Sequence, residues 1–285
     1  MTSLAGMGGV AGACAAAGLS RAGFYRRYQQ CAPRQSEQQL RDLVQRVALG
    51  RRAFGYRRVQ ALLRERGVVV NHKRVLRLMR EDNLLSLRRR RFVLTTDSRH
   101  PYFVYPNHAA KLTPSACDQL WVADITYIRL AEAFVYLAVV LDAFSRRVIG
   151  WALDDTLEAK LAVTALERAL QLRHPPPGVV HHSDRGVQYC CRHYIALLEA
   201  HAFLISMSRK GNPYDNAKAE SFMKTLKAEE VHLQQYRNRA DAEARIAAFL
   251  EEVYNRSRPH SALGYLSPEG FEQRAAGAAA GGGNA

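Results

Sequence analysis

The 285-residue sequence has few cysteines and no long apolar run, which argues against several classes of protein. Its five cysteines include no Cys-x-x-Cys pair, so we expect a reducing compartment rather than a disulfide framework. The most apolar run, residues 134–141, is far shorter than the ~20 residues that a membrane span requires, so no membrane partner is expected. Neither a Gly-x-Gly-x-x-Gly motif nor a P-loop occurs, and no nucleotide cofactor is expected.

Acidic residues are scarce in the first part of the chain. Residues 1–111 contain 6 Asp and Glu against 22 Lys and Arg, whereas the remainder contains 20 against 19. The whole chain has a formal net charge of +15 and a pI near 9.9. A basic segment joined to a nearly neutral one predicts a module that binds a polyanion beside a second folded unit.

Turn and capping residues in the basic segment predict a helix-turn-helix. A helix over 56–66 ends at Gly67, and a second helix over 72–82 begins after the N-cap Asn71. Further helical patterns precede them, including a helix after Ser20 and another over 36–49. The side chains predicted to pack the second helix are Val75, Leu78 and Met79. The candidate DNA-binding residues are Lys73, Arg74, Arg77, Arg80, Arg88, Arg89, Arg90 and Arg91. A merely solvated basic face is the alternative.

The second part of the chain predicts an α/β core. Three β-rich runs over 120–130, 134–142 and 147–154, separated by short turns, predict an antiparallel meander. Helices and strands then alternate: helix 157–173, strand 179–183, helix 192–201, strand 203–208, a helix from Asp215 and a last helix over about 240–255. The expected fold class is therefore a mixed sheet with helices packed on it, preceded by an all-α region.

Composition changes along the chain predict its domain boundaries. We expect a basic helix-turn-helix region over 1–95, a linker over 96–116, a catalytic core over 117–235 and a C-terminal helical extension over 236–274. The low-complexity tail 275–285, rich in Ala and Gly, is expected to be disordered.

Three acidic residues stand where a two-metal site for phosphoryl transfer would need them. Asp124 lies mid-strand, Asp184 directly follows a strand, and Glu220 lies on a helix, with 35 residues between the last two. Mg²⁺ prefers carboxylate and water oxygens, and two ions ~3.5–4 Å apart can hold both the attacking and the leaving oxygen. The three acids are therefore candidate catalytic and metal-binding residues.

Each acid also has a purely structural interpretation. Asp124 interrupts an otherwise apolar strand, where it would have to be paired or at an edge, and Asp184 is also typical of a turn. Glu220 would pair with Lys224 at i,i+4, which contributes only about 0.2–0.5 kcal/mol. Helical geometry places Lys224 and Lys227 within ~40° of Glu220, where both lysines would reach DNA phosphates beside a metal site.

Other polar residues compete for functional roles. Asp142 is the chief rival metal ligand, but with Ser145 it is also typical of a capped turn, which we favour. Gln188 and Tyr189 would either contact DNA or pack. His182 is either a neighbour of the metal site or a plain strand-end residue. Zinc is not expected, since the ligand spacing of structural zinc sites is absent from the cluster His181, His182, Cys190, Cys191 and His193.

Motifs along nearly the whole chain, about residues 10–272, carry a resemblance to a known family. The core motifs are WVADITYI, HHSDRGVQY and NPYDNAKAESFMKTLKAE, and the supporting ones are GYRRVQALLRERG, NHKRVLRLMRE and YNRSRPHSALGYLSPEGFE. Together they resemble DDE transposases and retroviral-type integrases, and more closely the second-frame (OrfB-type) product of two-frame bacterial insertion sequences. The His-His-Cys-Cys module of retroviral integrases is not present, so zinc is not carried over.

The resemblance implies an RNase H-like core in which Asp124, Asp184 and Glu220 form the catalytic triad and Lys227 contacts DNA. It implies a Mg²⁺-dependent polynucleotidyl transferase, with Mn²⁺ as a candidate substitute, that cleaves insertion-sequence ends and joins them to target DNA. Two alternatives stay open. One is a DNA-binding regulator with an inactive core, and the other is an RNase H-type nuclease without strand transfer.

The expected partners are DNA, other copies of this chain and a second protein. Holding two DNA ends in one complex calls for multimerisation, yet no apolar heptad is sustained in the sequence. The resemblance implies an upstream reading frame, joined by ribosomal frameshifting, that supplies end binding and a leucine zipper. We therefore expect a homo-oligomer on DNA with an upstream-frame partner or frameshift fusion, in the cytoplasm and associated with the nucleoid.

Overall fold

The first folded part of the chain is entirely helical. The computed structural model describes residues 9–16, 18, 20, 35–86, 103–209 and 216–281. The N-terminal helices are α1 (Gly9–Ala16), α2 (Gln35–Gly50), α3 (Tyr56–Glu65) and α4 (His72–Glu81). The helix predicted after Ser20 and the arginine run 88–91 lie outside the described residues.

The predicted helix-turn-helix is formed by α3 and α4, and local signals account for it. Asn71 caps α4 because its side chain accepts the backbone N–H of Lys73 at 2.8 Å. Gly67 follows α3 with a φ of +78°, a left-handed conformation that glycine adopts without steric cost. The helices α2, α3 and α4 share a core of fully buried side chains: Val44, Val59, Leu63, Val75, Leu78 and Met79.

The second part of the chain is built on a five-stranded mixed sheet. Its strands are β1 (Leu120–Arg129), β2 (Phe134–Asp142), β3 (Val148–Asp154), β4 (Val180–Ser183) and β5 (Leu204–Met207). Strands β1, β2 and β3 form an antiparallel meander, β4 runs parallel to β1, and β5 runs parallel to β4. The order β3-β2-β1-β4-β5 places β1 at the centre. The predicted mixed sheet is confirmed.

Helices cover both faces of this sheet. They are α5 (Ala159–Arg173), α6 (Val187–Cys190), α7 (Arg192–Ala200), α8 (Ala217–Glu229), α9 (Arg239–Ala248), a π-helical segment (Phe249–Asn255) and α10 (Pro268–Gly281). On one face, Val122 of β1 shares a core with Phe222 of α8 and Ile246 of α9. On the other face, Trp121 of β1 shares a core with Leu166 of α5. Within the described ranges, every helix is too short or too polar to span a bilayer.

The alanine-rich tail corrects one prediction. Residues 275–285 were expected to be disordered, but α10 continues as far as Gly281, and only 282–285 lie outside the described residues. Alanine has the highest intrinsic helix propensity. The helix is also nucleated by packed residues: Ser267 accepts the backbone N–H of Gly270 at 3.2 Å, and Phe271 packs against Phe144. The tail therefore extends a helix that tertiary contacts have already started.

Two smaller differences concern helix boundaries. The last predicted helix, 240–255, is divided into α9 and the π-helical segment, in which each backbone bond spans one residue more than in an α-helix. The helix expected from Asp215 begins at Ala217, and Asp215 lies outside the described residues.

Candidate active site

Asp124 and Asp184 lie at the same level of two adjacent parallel strands. The register of β1 and β4 pairs Val122 with His182. Two residues further along the chain direction, Asp124 lies in β1 and Asp184 directly follows β4. Because neighbouring strands are about 4.8 Å apart, the two residues are neighbours at the carboxyl end of β4, and the charge of Asp184 acts on Asp124.

Helix α8 covers the face of the sheet to which Asp124 points. Side chains alternate between faces along a strand, and Val122 packs in the core that includes α8, so Asp124 faces the same side. The start of α8 is tied to β1, since the side-chain amide of Asn216 donates to the carbonyl oxygen of Ala123 at 3.1 Å. Glu220 follows about one turn into this helix.

The charges of the other two acids act on Asp124. Its pKa is raised to about 8, chiefly by burial and then by the negative charge of Asp184, with a smaller contribution from Glu220. The backbone N–H of Ile125, which donates to Asp124 Oδ1 at 2.9 Å, and the ammonium group of Lys227 act in the opposite direction. A cation bound beside Asp124 would favour its ionised form.

The three carboxylates do not converge on one point. Asp184 Oδ1 accepts the backbone N–H of Gly186 at 2.8 Å, and Glu220 Oε2 meets Lys224 Nζ at 3.4 Å. In the part of the chain that the structure describes, no group of three or more His, Cys, Asp and Glu side chains stands in an arrangement that could hold a metal ion. Mutual repulsion favours this separation, and both structural interpretations, the turn and the i,i+4 pair, are formed.

The donor set nevertheless suits a hard divalent cation. Three carboxylates offer only oxygen ligands, which Mg²⁺ prefers. Near them the hydroxyl of Tyr189 is buried and has no hydrogen-bond partner among the described residues. Burial, and after it the charges of Tyr194, Asp124 and Asp184, raise the pKa of Tyr189 well above its usual range. An unsatisfied buried hydroxyl is rare and is expected where a further polar group joins the site.

The two lysines of α8 have different surroundings. Lys227 is half-buried, and its ammonium lies 4.9 Å from the centre of the Tyr127 ring. Burial lowers the pKa of Lys227, while the charge of Asp124 acts to raise it. Lys224 is exposed at the rim of the site and pairs with Glu220. Of the two lysines, Lys227 is therefore the one whose charge acts on Asp124.

Asp142 is the cap of a turn. Its Oδ1 accepts the backbone N–H groups of Phe144 and Ser145 at 2.8 and 3.0 Å, and its Oδ2 accepts that of Asp118 at 2.7 Å. The carboxylate is fully buried, so these backbone bonds replace its solvation. The predicted capped turn is confirmed.

The histidines and loop residues beside the site make contacts within the fold. The ring nitrogens of His182 lie 2.8 Å from Ser206 Oγ and 3.0 Å from Ser208 Oγ, which joins β4 to the segment of β5. His181 meets the Tyr194 hydroxyl at 2.9 Å on the opposite face. Tyr189 is buried against the Tyr194 ring, so it packs as the second interpretation expected.

The basic helix α4 presents its charges as predicted. The predicted packing residues Val75, Leu78 and Met79 are buried, and the exposed basic residues are Lys73, Arg74, Arg77 and Arg80. Arg77 differs from the other three because it forms ion pairs with Glu37 at 2.6 Å and Glu81 at 3.2 Å.

Comparisons with known proteins agree with this architecture. Sequence profiles of the integrase core domain match residues 114–213 and 201–268, and the profile of an HTH-like domain matches residues 35–92. The insertion element IS600 uncharacterized 31 kDa protein of Shigella sonnei is 38% identical over 265 residues, which cover 92% of this chain and 97% of the relative. The transposase InsF for insertion sequence IS3A of Escherichia coli is 37% identical over 267 residues, covering 92% and 93%.

The chain belongs to the insertion-sequence transposase family. Another relative, the transposase for insertion sequence element IS904 of Lactococcus lactis, is 37% identical over 230 residues, covering 77% of this chain and 87% of the relative. Among solved structures, a chain of the simian T-cell lymphotropic virus intasome aligns with 75% of this chain and 70% of its own length, at 14% identity and a TM-score of 0.46. The assignment of this transposase rests on the sequence relatives and the matching domains.

Sequence reasoning missed one residue that shapes the candidate site. The side-chain amide of Asn216 ties α8 to β1 beside Asp124, and a polar residue directly before a helix is the signal that could have found it. Tyr189 packs, which is one of its two predicted roles, but nothing in the sequence indicated that the charges of Asp124 and Asp184 act on its buried hydroxyl.

Proposed function

We propose that this transposase is a divalent-metal-dependent polynucleotidyl transferase in which Asp124, Asp184 and Glu220 hold the metal. The observation that carries the proposal is the register of β1 and β4, which places Asp124 beside Asp184. The pKa of Asp124 is accordingly raised by desolvation and by the charges of both other acids. Such an arrangement is unfavourable without a cation and well suited to one. The all-oxygen donor set favours Mg²⁺, with Mn²⁺ as a substitute.

The proposed reaction is hydrolysis of a phosphodiester at an insertion-sequence end, followed by joining of the freed 3′-OH to target DNA. When bound, the metal ions would activate the attacking oxygen and neutralise the leaving oxygen. Asp124 and Asp184 would set the ligand spacing, because both are fixed by adjacent strands. Glu220 would complete the set from α8, and Lys227 would hold a DNA phosphate beside it. No covalent protein intermediate is needed, since positioning and charge stabilisation suffice.

We assign DNA binding to α4 and its neighbours. The exposed Lys73, Arg74 and Arg80 would bind the phosphate backbone, with the arginine run 88–91 beside them in sequence. Arg77 would contribute less, because its guanidinium is engaged by Glu37 and Glu81. The domain boundaries 1–95, 96–116, 117–235 and 236–274 are proposed on the same basis.

The test is a cleavage and joining assay on a duplex that carries an element end. Glu220→Gln keeps the shape of the side chain but removes its charge, so we expect cleavage and joining to fall together to less than a few per cent of the parent rate. DNA binding, measured by gel shift, should be unchanged. Mn²⁺ should support the parent reaction in place of Mg²⁺.

The matched control is Glu167→Gln, an equal change at an exposed position of α5. It should cleave and join like the parent. A Glu220→Gln variant that retained substantial cleavage would contradict the assignment. A parent protein that nicks but never joins a pre-cleaved end would instead indicate a nuclease, and one that binds DNA without cutting would indicate a regulator.

A further inference from the structure

A second cavity lies across α8 from the proposed metal site. It has a volume of about 110 Å³ and is lined by the turn after β2, by one face of α8 and by the segment that follows the π-helix. Lys218 and Thr225 line it from α8, and at about 100° per residue they lie roughly 140–160° around the helix from Glu220. The cavity is therefore separate from the three acids.

The walls of this cavity carry more cations than carboxylates. The cations are Arg58, Arg146, Lys218 and Arg258. Glu229 is shared by two of them, since it binds Arg58 at 2.7 Å and Arg258 at 2.7 Å. Asp142 is the other carboxylate, and its oxygens are occupied by backbone N–H groups. Among the described residues, Arg146 and Lys218 form no ion pair with a carboxylate, although Asp142 lines the same cavity as Lys218.

Arg146 has an unfavourable backbone conformation and, in the described part of the chain, no structural contact that accounts for its charge. Its backbone lies in the left-handed region with a φ of +62°, which is unfavourable for a residue with a side chain. Among the described residues, its guanidinium has no ion-pair partner. Lys218 lines the same cavity from α8 and donates to the carbonyl oxygen of Ala143 at 2.8 Å. Like charges held together in a partly buried space favour binding of an anion.

The remaining groups of the cavity suit an oxyanion. His260 adds no charge, because burial and the charges of Arg258, Arg146 and Arg58 lower its pKa to about 2. Hydroxyl groups of Ser221, Thr225 and Ser261 also line the space and can donate hydrogen bonds. A guanidinium and an ammonium beside hydroxyl groups form a typical phosphate-binding set.

We propose that this cavity binds a phosphate group of the DNA backbone, with Arg146 and Lys218 as its charge partners. The source of the phosphate rests on the DNA transposition proposed above. Because the cavity lies across α8 from the acids, the bound phosphate is not the one that is cleaved. It would anchor a flanking nucleotide or a second DNA segment against the turn between β2 and β3.

The first arm of the test uses inorganic phosphate and the full-length chain. Phosphate, compared with chloride at equal ionic strength, should raise the melting temperature of the parent, because a ligand that binds only the folded state stabilises it. Arg146→Gly should lose this shift without losing stability in chloride, since glycine accepts the left-handed backbone. Lys218→Gln should lose it too. Arg274→Gln, the same change in charge at an exposed position of α10, should retain it.

The second arm measures binding of a duplex at several salt concentrations in EDTA, so that cleavage plays no part. Loss of one phosphate contact should make the slope of log K against log salt shallower by about 0.9 in Arg146→Gly, while Arg274→Gln keeps the parent slope. A shallower slope in Arg146→Gly supports contact with a DNA phosphate, whether or not inorganic phosphate also raises the melting temperature. If inorganic phosphate raises the melting temperature but the salt slope is unchanged in Arg146→Gly, the assignment to DNA is overturned. If neither the melting temperature nor the slope changes, the site itself is overturned. If Glu220→Gln abolishes cleavage as proposed while Arg146→Gly changes nothing, this inference alone fails.

Discussion

Asp124 is a carboxyl group at a position where the fold by itself favours an apolar or neutral side chain. It lies in the central strand, and burial together with two neighbouring acids raises its pKa to about 8. Residues that serve function often reduce the stability of the fold that carries them. The metal-free protein should therefore be less stable than a variant that lacks this charge.

We expect Asp124→Asn to be more stable than the parent in EDTA at pH 8, by at least about 1 kcal/mol. The folded pKa, about 8, lies above the ordinary value of 3.8, so the folded state holds its proton more tightly than the unfolded state. The stability that the protonated group contributes is complete below pH 3.8 and is lost as the pH rises through 8. The advantage of the variant should thus grow between these values, as urea denaturation at each pH would show.

The control for this prediction is Asp155→Asn, which removes an exposed carboxylate that pairs with Arg239. It should not stabilise the protein at any of these pH values. An Asp124→Asn variant that is less stable than the parent at pH 8 without metal would contradict the account of Asp124.

The sequence pattern proposes candidate residues but does not specify their contacts. The position of Asp124 within a strand and the 35-residue spacing that follows Asp184 make the three acids the candidates. The turn at Asp184 and the Glu220–Lys224 contact were foreseen only as alternatives to function, whereas the structure forms both. Hydrogen-bond choices of this kind depend on side-chain positions that a sequence pattern does not specify.

At the scale of elements, α5 lies very close to β3 at Gly150. A Cβ atom added at Gly150 would lie 2.2 Å from the carbonyl oxygen of Ala165 and 2.8 Å from the Cβ atom of Ala169. The absence of a side chain at Gly150 therefore allows α5 to lie directly on the strand, and this contact supports the face of the sheet opposite the site.

We expect Gly150→Ala to destabilise the protein by about 1–3 kcal/mol, because the helix must move away from the strand. The control is Gly277→Ala in α10, where an added Cβ atom would meet nothing within 4 Å. That change should be neutral or stabilising by up to about 1 kcal/mol. Denaturation of both variants in urea gives the comparison, and equal effects would show that the contact at Gly150 is not tight.

Elements whose apolar residues recur with a regular period were predicted. Elements that depend on packing against residues distant in sequence were not. The alternating strands and the capped helix α4 matched within one or two residues. Helix α10 was missed because an alanine- and glycine-rich segment has no periodic apolar face, and its start is held by Phe144 from the β2–β3 turn. The short helix α6 was missed because four residues are too few to show a period.

At the scale of the whole molecule, an ion pair connects the basic N-terminal helices to the part of the chain that contains the sheet. Arg58 of α3 and Arg258 of the C-terminal segment both bind Glu229 at the end of α8. These partners are 171 and 29 residues apart in sequence, so no local pattern could have predicted that they meet. The helix that carries Glu220 is thereby in contact with both flanking regions.

We predict that this chain acts with an upstream-frame product rather than alone. A short reading frame should overlap its gene in the −1 relation and encode a helix-turn-helix with a heptad repeat, since two DNA ends must be held together and no sustained heptad occurs here. The fused product should join element ends at least tenfold faster than this chain in a strand-transfer assay. Full transposition by the isolated chain, with no such frame upstream, would contradict the prediction.

The central claim is that Asp124, Asp184 and Glu220 hold the catalytic metal, and Mn²⁺ binding tests it most directly. The full-length chain, bound to a duplex with an element end, is titrated with Mn²⁺, and the free ion is followed by its electron paramagnetic resonance signal. We predict that the parent removes about two ions per chain from solution, and that Asp124→Asn, Asp184→Asn and Glu220→Gln each lose at least one of them, while Glu167→Gln binds like the parent. Parental Mn²⁺ binding by all three acid variants would contradict the account.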